Sequence, residues 1–195
     1  MYKIIYSIIL IIFLCACNNS QIGPQYDLAG YQTESAVNGL TFAEYRDQDD
    51  NLLVKGQLLN GIRNGTWVTY RDNSNKIKKI TTYIQGLKNG IEITMNDRGQ
   101  IESREEFKND ILHGFKVAYT FGQPTEETSY KDGQFDGPFT IYANRKIQRK
   151  GFFKNGKQHG TLEYFNDKGE VTLRYEYENG EKISGGIVEL PAASE

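Results

Sequence analysis

Two histidines, a group of glutamates, three evenly spaced lysines and two cysteines are the side chains best placed to do chemistry here. Imidazoles hold metal ions at about 2 Å, and His113 and His159 each precede a glycine. Glu102, Glu105, Glu106, Glu126 and Glu127 could supply a general acid and a general base, provided two of them meet in a pocket. Lys108, Lys131 and Lys154 recur every 23 residues and could attract an anionic surface. Both thiols, Cys15 and Cys17, fall within the first seventeen residues, so no disulfide, thiolate zinc site or cysteine nucleophile is expected in the rest of the chain. No serine elbow, HExxH, P-loop or dinucleotide fingerprint is present. What these groups can do depends on the elements that hold them.

Those elements repeat. Gly114, Gly137 and Gly160 are spaced by 23 residues, and so are Phe107, Tyr130 and Phe153, and Tyr119, Tyr142 and Phe165. Gly65 and Gly90 extend the glycine column at spacings of 25 and 24. A fixed short period marks a stacked array. Within a unit, aromatic and β-branched residues alternate with polar ones, as in Leu173, Tyr175 and Tyr177, which is the period of a strand. Asn64-Gly65, Asn89-Gly90, Asp132-Gly133, Asp136-Gly137, Asn155-Gly156 and Asn179-Gly180 are expected to stand between strands as hairpin turns. The loop glycines Gly61, Gly86, Gly133, Gly156 and Gly180 form a further column, with Asp110 standing in where one is missing. A second turn type reads Asn96-Asp97-Arg98-Gly99 and Asn166-Asp167-Lys168-Gly169. The expected fold is all-β: an elongated, single-layer antiparallel meander of hairpin repeats. About five full units lie between Leu52 and Val171, with partial units at each end.

That architecture decides most of the chemistry. Two units separate the histidines by four strands, about 19 Å, so they read as turn residues and no metal or other cofactor is expected. The acids fall on strands with a solvated face. Arg104, Glu127, Lys150 and Arg174 share one position with changing sign, which cross-strand charge pairing explains. The lysine column reads as a solvated edge. No residue is assigned as catalytic. The aromatics Tyr83, Phe107, Tyr130, Phe153 and Tyr177 recur about 10 Å apart. The column containing Tyr119 and Tyr142 is expected to lie between them, completing a stripe that is either an internal spine or a ligand groove.

Residues 1–16 read as a signal peptide: Lys3, an apolar run, then Leu14-Cys15-Ala16 before Cys17. The end of the run resembles a bacterial lipobox, which implies cleavage after Ala16 and acylation of Cys17. The resemblance implies a bacterial envelope protein held to a membrane by N-terminal lipid, with Asn18 leaning towards the outer membrane. Residues 17–30 are expected to be a lipidated flexible tether, 31–190 the repeat domain (clearest over 52–180) and 191–195 a tail. The formal charge of −2 offers no net field for nucleic acid.

The pattern aromatic-x-x-Gly-x-x-x-Gly, carried by Tyr83, Gly86 and Gly90 and by Phe153, Gly156, Gly160 and Phe165, resembles the MORN repeat in its bacterial variant form. The regular Gly-x-Gly of eukaryotic MORN repeats is absent, so their lipid binding is not carried over. The resemblance implies a β-hairpin array; some bacterial members are grouped with antitoxins, and eukaryotic ones are membrane-associated scaffolds. The expected function is a lipid-anchored scaffold or binding module for a protein or glycan of the envelope. The alternatives are an immunity or antitoxin-like protein neutralising a toxin, and an envelope glycan hydrolase whose Glu or Asp nothing selects.

Overall fold

Alternating patterns broken at short intervals by turn residues favour strands throughout. The computed structural model describes residues 22–189, and all regular structure in that span is β-strand. The strands begin with β1 Tyr31–Ser35, β2 Leu40–Arg46, β3 Leu52–Leu59, β4 Ile62–Tyr70 and β5 Ile77–Ile84. They continue with β6 Leu87–Met95, β7 Ile101–Lys108, β8 Ile111–Thr120, β9 Gln123–Lys131 and β10 Gln134–Ala143. Last come β11 Lys146–Lys154, the two-residue β12 Lys157–Gln158, β13 Gly160–Phe165, β14 Val171–Glu178 and β15 Glu181–Ile187. All belong to one antiparallel sheet in chain order, with β12 a short lead into β13 that pairs with β11. β1 and β15 are its two free edges, so the sheet does not close into a barrel. This is the meander expected from the period.

One long edge consists of tight tips: Asn60-Gly61, Gln85-Gly86, Asn109-Asp110, Asp132-Gly133, Asn155-Gly156 and Asn179-Gly180. Both residues of each tip have positive φ, between 49° and 92°. That is the two-residue turn whose twist matches the strands, and Asp110 fills the glycine position as expected. The tips are tied in series. The N–H of Gly86 donates to the Arg63 carbonyl (2.8 Å), that of Asp110 to Lys88 (3.0 Å) and that of Gly133 to Leu112 (2.9 Å). Gly156 to Phe135 and Gly180 to Gln158, both at 2.8 Å, complete the row.

Asn64-Gly65, Asn89-Gly90 and Asp136-Gly137 are not turns: they lie inside β4, β6 and β10. Each hairpin's second strand carries two residues more than its partner there, as between the pairs Tyr83↔Lys88 and Thr81↔Glu92. The bulge glycines Gly65, Gly90 and Gly137 have positive φ, as turn glycines do, and a glycine-type bulge uses that region, so the dipeptide alone does not separate the two. On its other side each bulge glycine faces the next unit's aromatic: Gly65↔Tyr83, Gly90↔Phe107, Gly114↔Tyr130, Gly137↔Phe153 and Gly160↔Tyr177. The two columns share one period because they are cross-strand partners.

The opposite edge sets the length of the period. Where Phe121-Gly122 or Asn144-Arg145 make a two-residue turn, aromatics recur every 23 residues. Where a five-residue loop intervenes, the step is 24. In those loops the Asn96 or Asn166 side chain accepts hydrogen bonds from two backbone N–H groups ahead of it, holding the turn locally.

The most enclosed core lies at the N-terminal end, where Ala43, Leu58, Trp67 and Tyr83 are buried together. Its cover corrects an expectation. Residues 22–30, the described part of the expected tether, lie along the tips. Gly23 N–H donates to the Gln85 carbonyl (2.7 Å) and Tyr26 N–H to Gly61 (3.2 Å). The Tyr26 ring meets Trp67 edge-on at 4.9 Å, and Leu28 packs on the same cluster. One apolar face of a single layer is left open by its own strands, and the nearest apolar segment covers part of it.

Candidate functional site

Antiparallel register assigns every strand residue to one of two faces. On the front face one row crosses the sheet through the direct pairs Trp67↔Thr81, Thr81↔Glu92, Glu92↔Glu105, Glu105↔Lys116, Lys116↔Thr128 and Thr128↔Phe139. The row is apolar at both ends and charged in the middle. Tyr83, Phe107, Tyr130, Phe153 and Tyr177 lie on this face beside it, Tyr83 buried and the other four half-buried.

Tyr119 and Tyr142 do not lie between them. Their column follows a one-residue register shift at Ala118/Tyr119 and Ile141/Tyr142 and falls on the back face, near the opposite edge. Lys55, a back-face residue, lies over Tyr70 of that column (5.8 Å), whereas Lys88, on the front, lies over Phe107 (4.6 Å). The expected single stripe is therefore two separate columns. Counting strand spacings placed them side by side; only the parity of the alternation separates faces.

The charged middle is self-satisfied. Glu92 is only 4% exposed, and its carboxylate meets Lys88 Nζ (2.8 Å), Lys79 Nζ (3.2 Å) and the Thr81 hydroxyl (2.8 Å). Burial pushes its carboxyl up, but the hydrogen bonds from Lys88 and Thr81 and the two lysine charges outweigh this and hold it below the usual range. Glu105 pairs with Lys116 Nζ at 2.7 Å, and that hydrogen bond raises the lysine above its ordinary value. The two neighbouring carboxylates thus have separate cations, Lys88 and Lys79 on Glu92 and Lys116 on Glu105. No sequence pattern singled out Glu92; its buried position follows from register alone.

The five glutamates considered as acid and base are dispersed. Glu105 and Glu126 are on the front face and Glu106 and Glu127 on the back, by their pairings. Glu102 sits unpaired at a register shift. Glu106 is bound by Arg104 (2.6 Å), and Glu126 by the Thr128 hydroxyl (2.9 Å). Arg104 and Glu127 therefore do not pair, but Lys150 and Arg174 do meet a carboxylate, Glu163, at 3.2 and 2.8 Å. Lys108, Lys131 and Lys154 are exposed at strand ends. His113 Nδ1 stands 3.2 Å from Asp132 Oδ1 and 3.4 Å from its backbone nitrogen. Asp136, in the equivalent place one unit on, accepts from Asn155 N–H (2.9 Å). His113 thus belongs to a column of side chains that brace the next tip. His159 lies in another unit, between β12 and β13.

A shallow depression of about 280 Å³ lies on the front face over β9–β14. Phe135, Phe139, Phe153, Leu162, Tyr164 and Tyr177 are among its walls, with Glu126, Arg149 and Gln158 polar groups among them. Phe135 and Phe153 stack at 5.1 Å, and Phe139 meets Phe153 at 4.9 Å. Phe153 and Tyr177 belong to the periodic column expected as spine or groove, and Tyr130 of that column packs against Phe135 at 4.9 Å. Phe135 and Phe139 carry no such signal, because neither stands in a column that is aromatic in every unit. A second depression of about 310 Å³ involves Phe42, Lys55, Gln57, Thr66 and Val68, largely on the back face.

Among the described residues no helix is long and apolar enough to cross a membrane. Cys17 and the segment expected to carry the lipid lie outside those residues. No protein-family model matches the chain, and no curated protein matches it.

Proposed function

We propose that this chain is a lipid-anchored binding module of the bacterial envelope, a MORN-like scaffold that holds another macromolecule against its sheet. One observation carries the reading: a sheet one layer thick leaves aromatic side chains on an uncovered face, gathered into a depression with a few polar groups at hand. Concavities that set aromatic walls beside placed polar groups can hold a ligand and fix its orientation. The carboxylates nearby have structural partners, Glu105 in Lys116 and Glu126 in Thr128, so binding accounts for the face better than acid–base chemistry does. Anchoring rests on the apolar segment and Cys17, and the outer membrane is the favoured location.

Crosslinking in intact cells, followed by mass spectrometry, should recover a specific protein or glycan joined to front-face residues. Recovery of none above a mock control would sink the binding reading. Cys17→Ser should abolish acylation and leave unprocessed precursor; persistent metabolic labelling with palmitate would refute the anchor.

A further inference from the structure

The chain shows how its front face takes up a strand of polypeptide. Residues 22–30 run along the hairpin tips and hydrogen-bond through Gly23 and Tyr26 N–H to tip carbonyls. They lay Tyr26 against Trp67 and beneath the Arg63 guanidinium, 4.8 Å from the ring. The receiving side chains occupy fixed places in the repeat. Leu58 precedes a tip, Arg63 and Trp67 follow it, and Tyr83 precedes the next.

Three units later the same four places hold Tyr130, Phe135, Phe139 and Phe153. In the two units between, the Trp67 place is taken by Glu92 and Lys116, ion-paired groups that an apolar side chain laid over them would strip of water. The face therefore has two aromatic-walled receiving sites separated by a charged block. The first is filled by the chain itself. At the second, none of the described residues lies across the depression as residues 22–30 lie across the first. Phe135 there is 39% exposed, and Gln158 Nε2 is enclosed in the wall with no hydrogen-bond partner.

We propose that the depression over β9–β14 is a docking site for an extended peptide segment of a partner protein. The segment carries a tyrosine with an aliphatic residue two positions on, as Tyr26 and Leu28 do. This rests on the binding reading above and adds the partner's class and pose. The segment crosses the strands along the Asp132-Gly133 and Asn155-Gly156 tips. Its aromatic ring lies on Phe139 and Phe153, Gln158 Nε2 donates to one of its carbonyls, and Arg149 faces any acidic residue it carries. Main-chain hydrogen bonds to tip carbonyls hold the backbone and the aromatic walls take the side chain, as they do for residues 22–30.

The probe is a labelled synthetic peptide with the sequence of residues 22–30, titrated against the full chain in detergent and followed by fluorescence polarisation. Saturable binding is expected, lost when the peptide's tyrosine is replaced by alanine. F135D should weaken it at least tenfold. F152D, equally exposed at 39% but on the back face of β11, should change it less than twofold. A version of the peptide with a photoreactive benzoylphenylalanine at the tyrosine tests the unmodified protein. Its crosslinks should fall on front-face residues between Phe135 and Tyr177. Absence of saturable binding, equal effects of F135D and F152D, or crosslinks confined to the back face or to the Trp67 cluster would overturn the proposal. A fivefold gain in affinity on ending the chain at Glu189 would also overturn it, by making the chain's own tail the occupant. Failure here alongside a protein or glycan captured on the front face in cells would remove the peptide mode and leave the binding module standing.

Discussion

Alanine at two glycines of one column should separate backbone strain from crowding. Gly90 and Gly137 hold the same place in bulges two units apart, with φ of +104° and +114°. An L residue in such a conformation is strained by about 1–3 kcal/mol, and both variants carry that. Around Gly90 a new methyl would find Thr82 Cβ at 3.6 Å, an ordinary contact. Around Gly137 it would meet Ser129 Cβ at 2.7 Å. That atom is fixed to the β9 backbone and no rotamer moves it, so the strands must part. Overpacking of this kind costs about 1–3 kcal/mol more. At about 2–4 °C per kcal/mol for a chain of this size, Gly137→Ala should melt roughly 2–12 °C below Gly90→Ala. Thermal unfolding followed by far-ultraviolet circular dichroism, with urea titration alongside, measures the difference. Equal melting of the two variants, or a lower value for Gly90→Ala, would refute the bulge geometry and the register built on it.

Three further outcomes are expected. The Glu92 carboxyl is held below the ordinary glutamate value near 4.3, so its contribution is full above that pH and disappears as pH falls through the folded value; Glu92→Gln should flatten that part of the stability profile, and an unchanged acid limb would count against the network. Tyr26→Ala removes roughly 100 Å² of apolar contact, about 2.5 kcal/mol at 25 cal/mol per Å², and should expose the tips near Gly61 and Gly86 to hydrogen exchange; unchanged exchange would mean residues 22–30 do not hold the face. Deleting Thr125 to Ile147 removes one whole unit and should leave a folded, somewhat less stable array. Deleting only Thr125 to Gly133 strips most of one strand and should aggregate through the exposed edge, and the opposite result would end the repeat description.

Much of the fold was legible because a stacked array writes itself repeatedly. Each hairpin faces the same demands, so Gly86, Gly133 and Gly156 recur at tips and Tyr83, Phe107 and Tyr130 recur opposite bulges. Asp110 could be recognised as a glycine substitute only because its neighbours fixed the column. Two features were not legible. Gly65 inside a bulge and Gly61 in a tip use the same positive-φ region, and each follows an asparagine, so the dipeptides look alike. Tyr119 and Phe107 recur with equal regularity although register shifts send them to opposite faces. The candidate site was half visible. Phe153 and Tyr177 belong to a column, but Phe135 and Phe139 replace charged or aliphatic residues of other units. Local departures from a repeat carry its specificity, and periodicity is blind to them.

The docking of residues 22–30 limits how the molecule can move. If Cys17 bears the lipid, only four residues, Asn18 to Gln21, separate it from Ile22, at most about 18 Å of chain. Ile22 lies near the tips of β3–β4 and β5–β6, beside Asn60 and Gln85. An anchor that short converts a swinging leash into a hinge at one edge of the slab. The tip edge would stay within a few nanometres of the lipid headgroups, and the sheet could rotate about it but not drift away. A partner embedded in the same leaflet would meet the front face in a thin shell rather than in bulk volume. Its effective concentration would be raised, and weak contacts would suffice for capture.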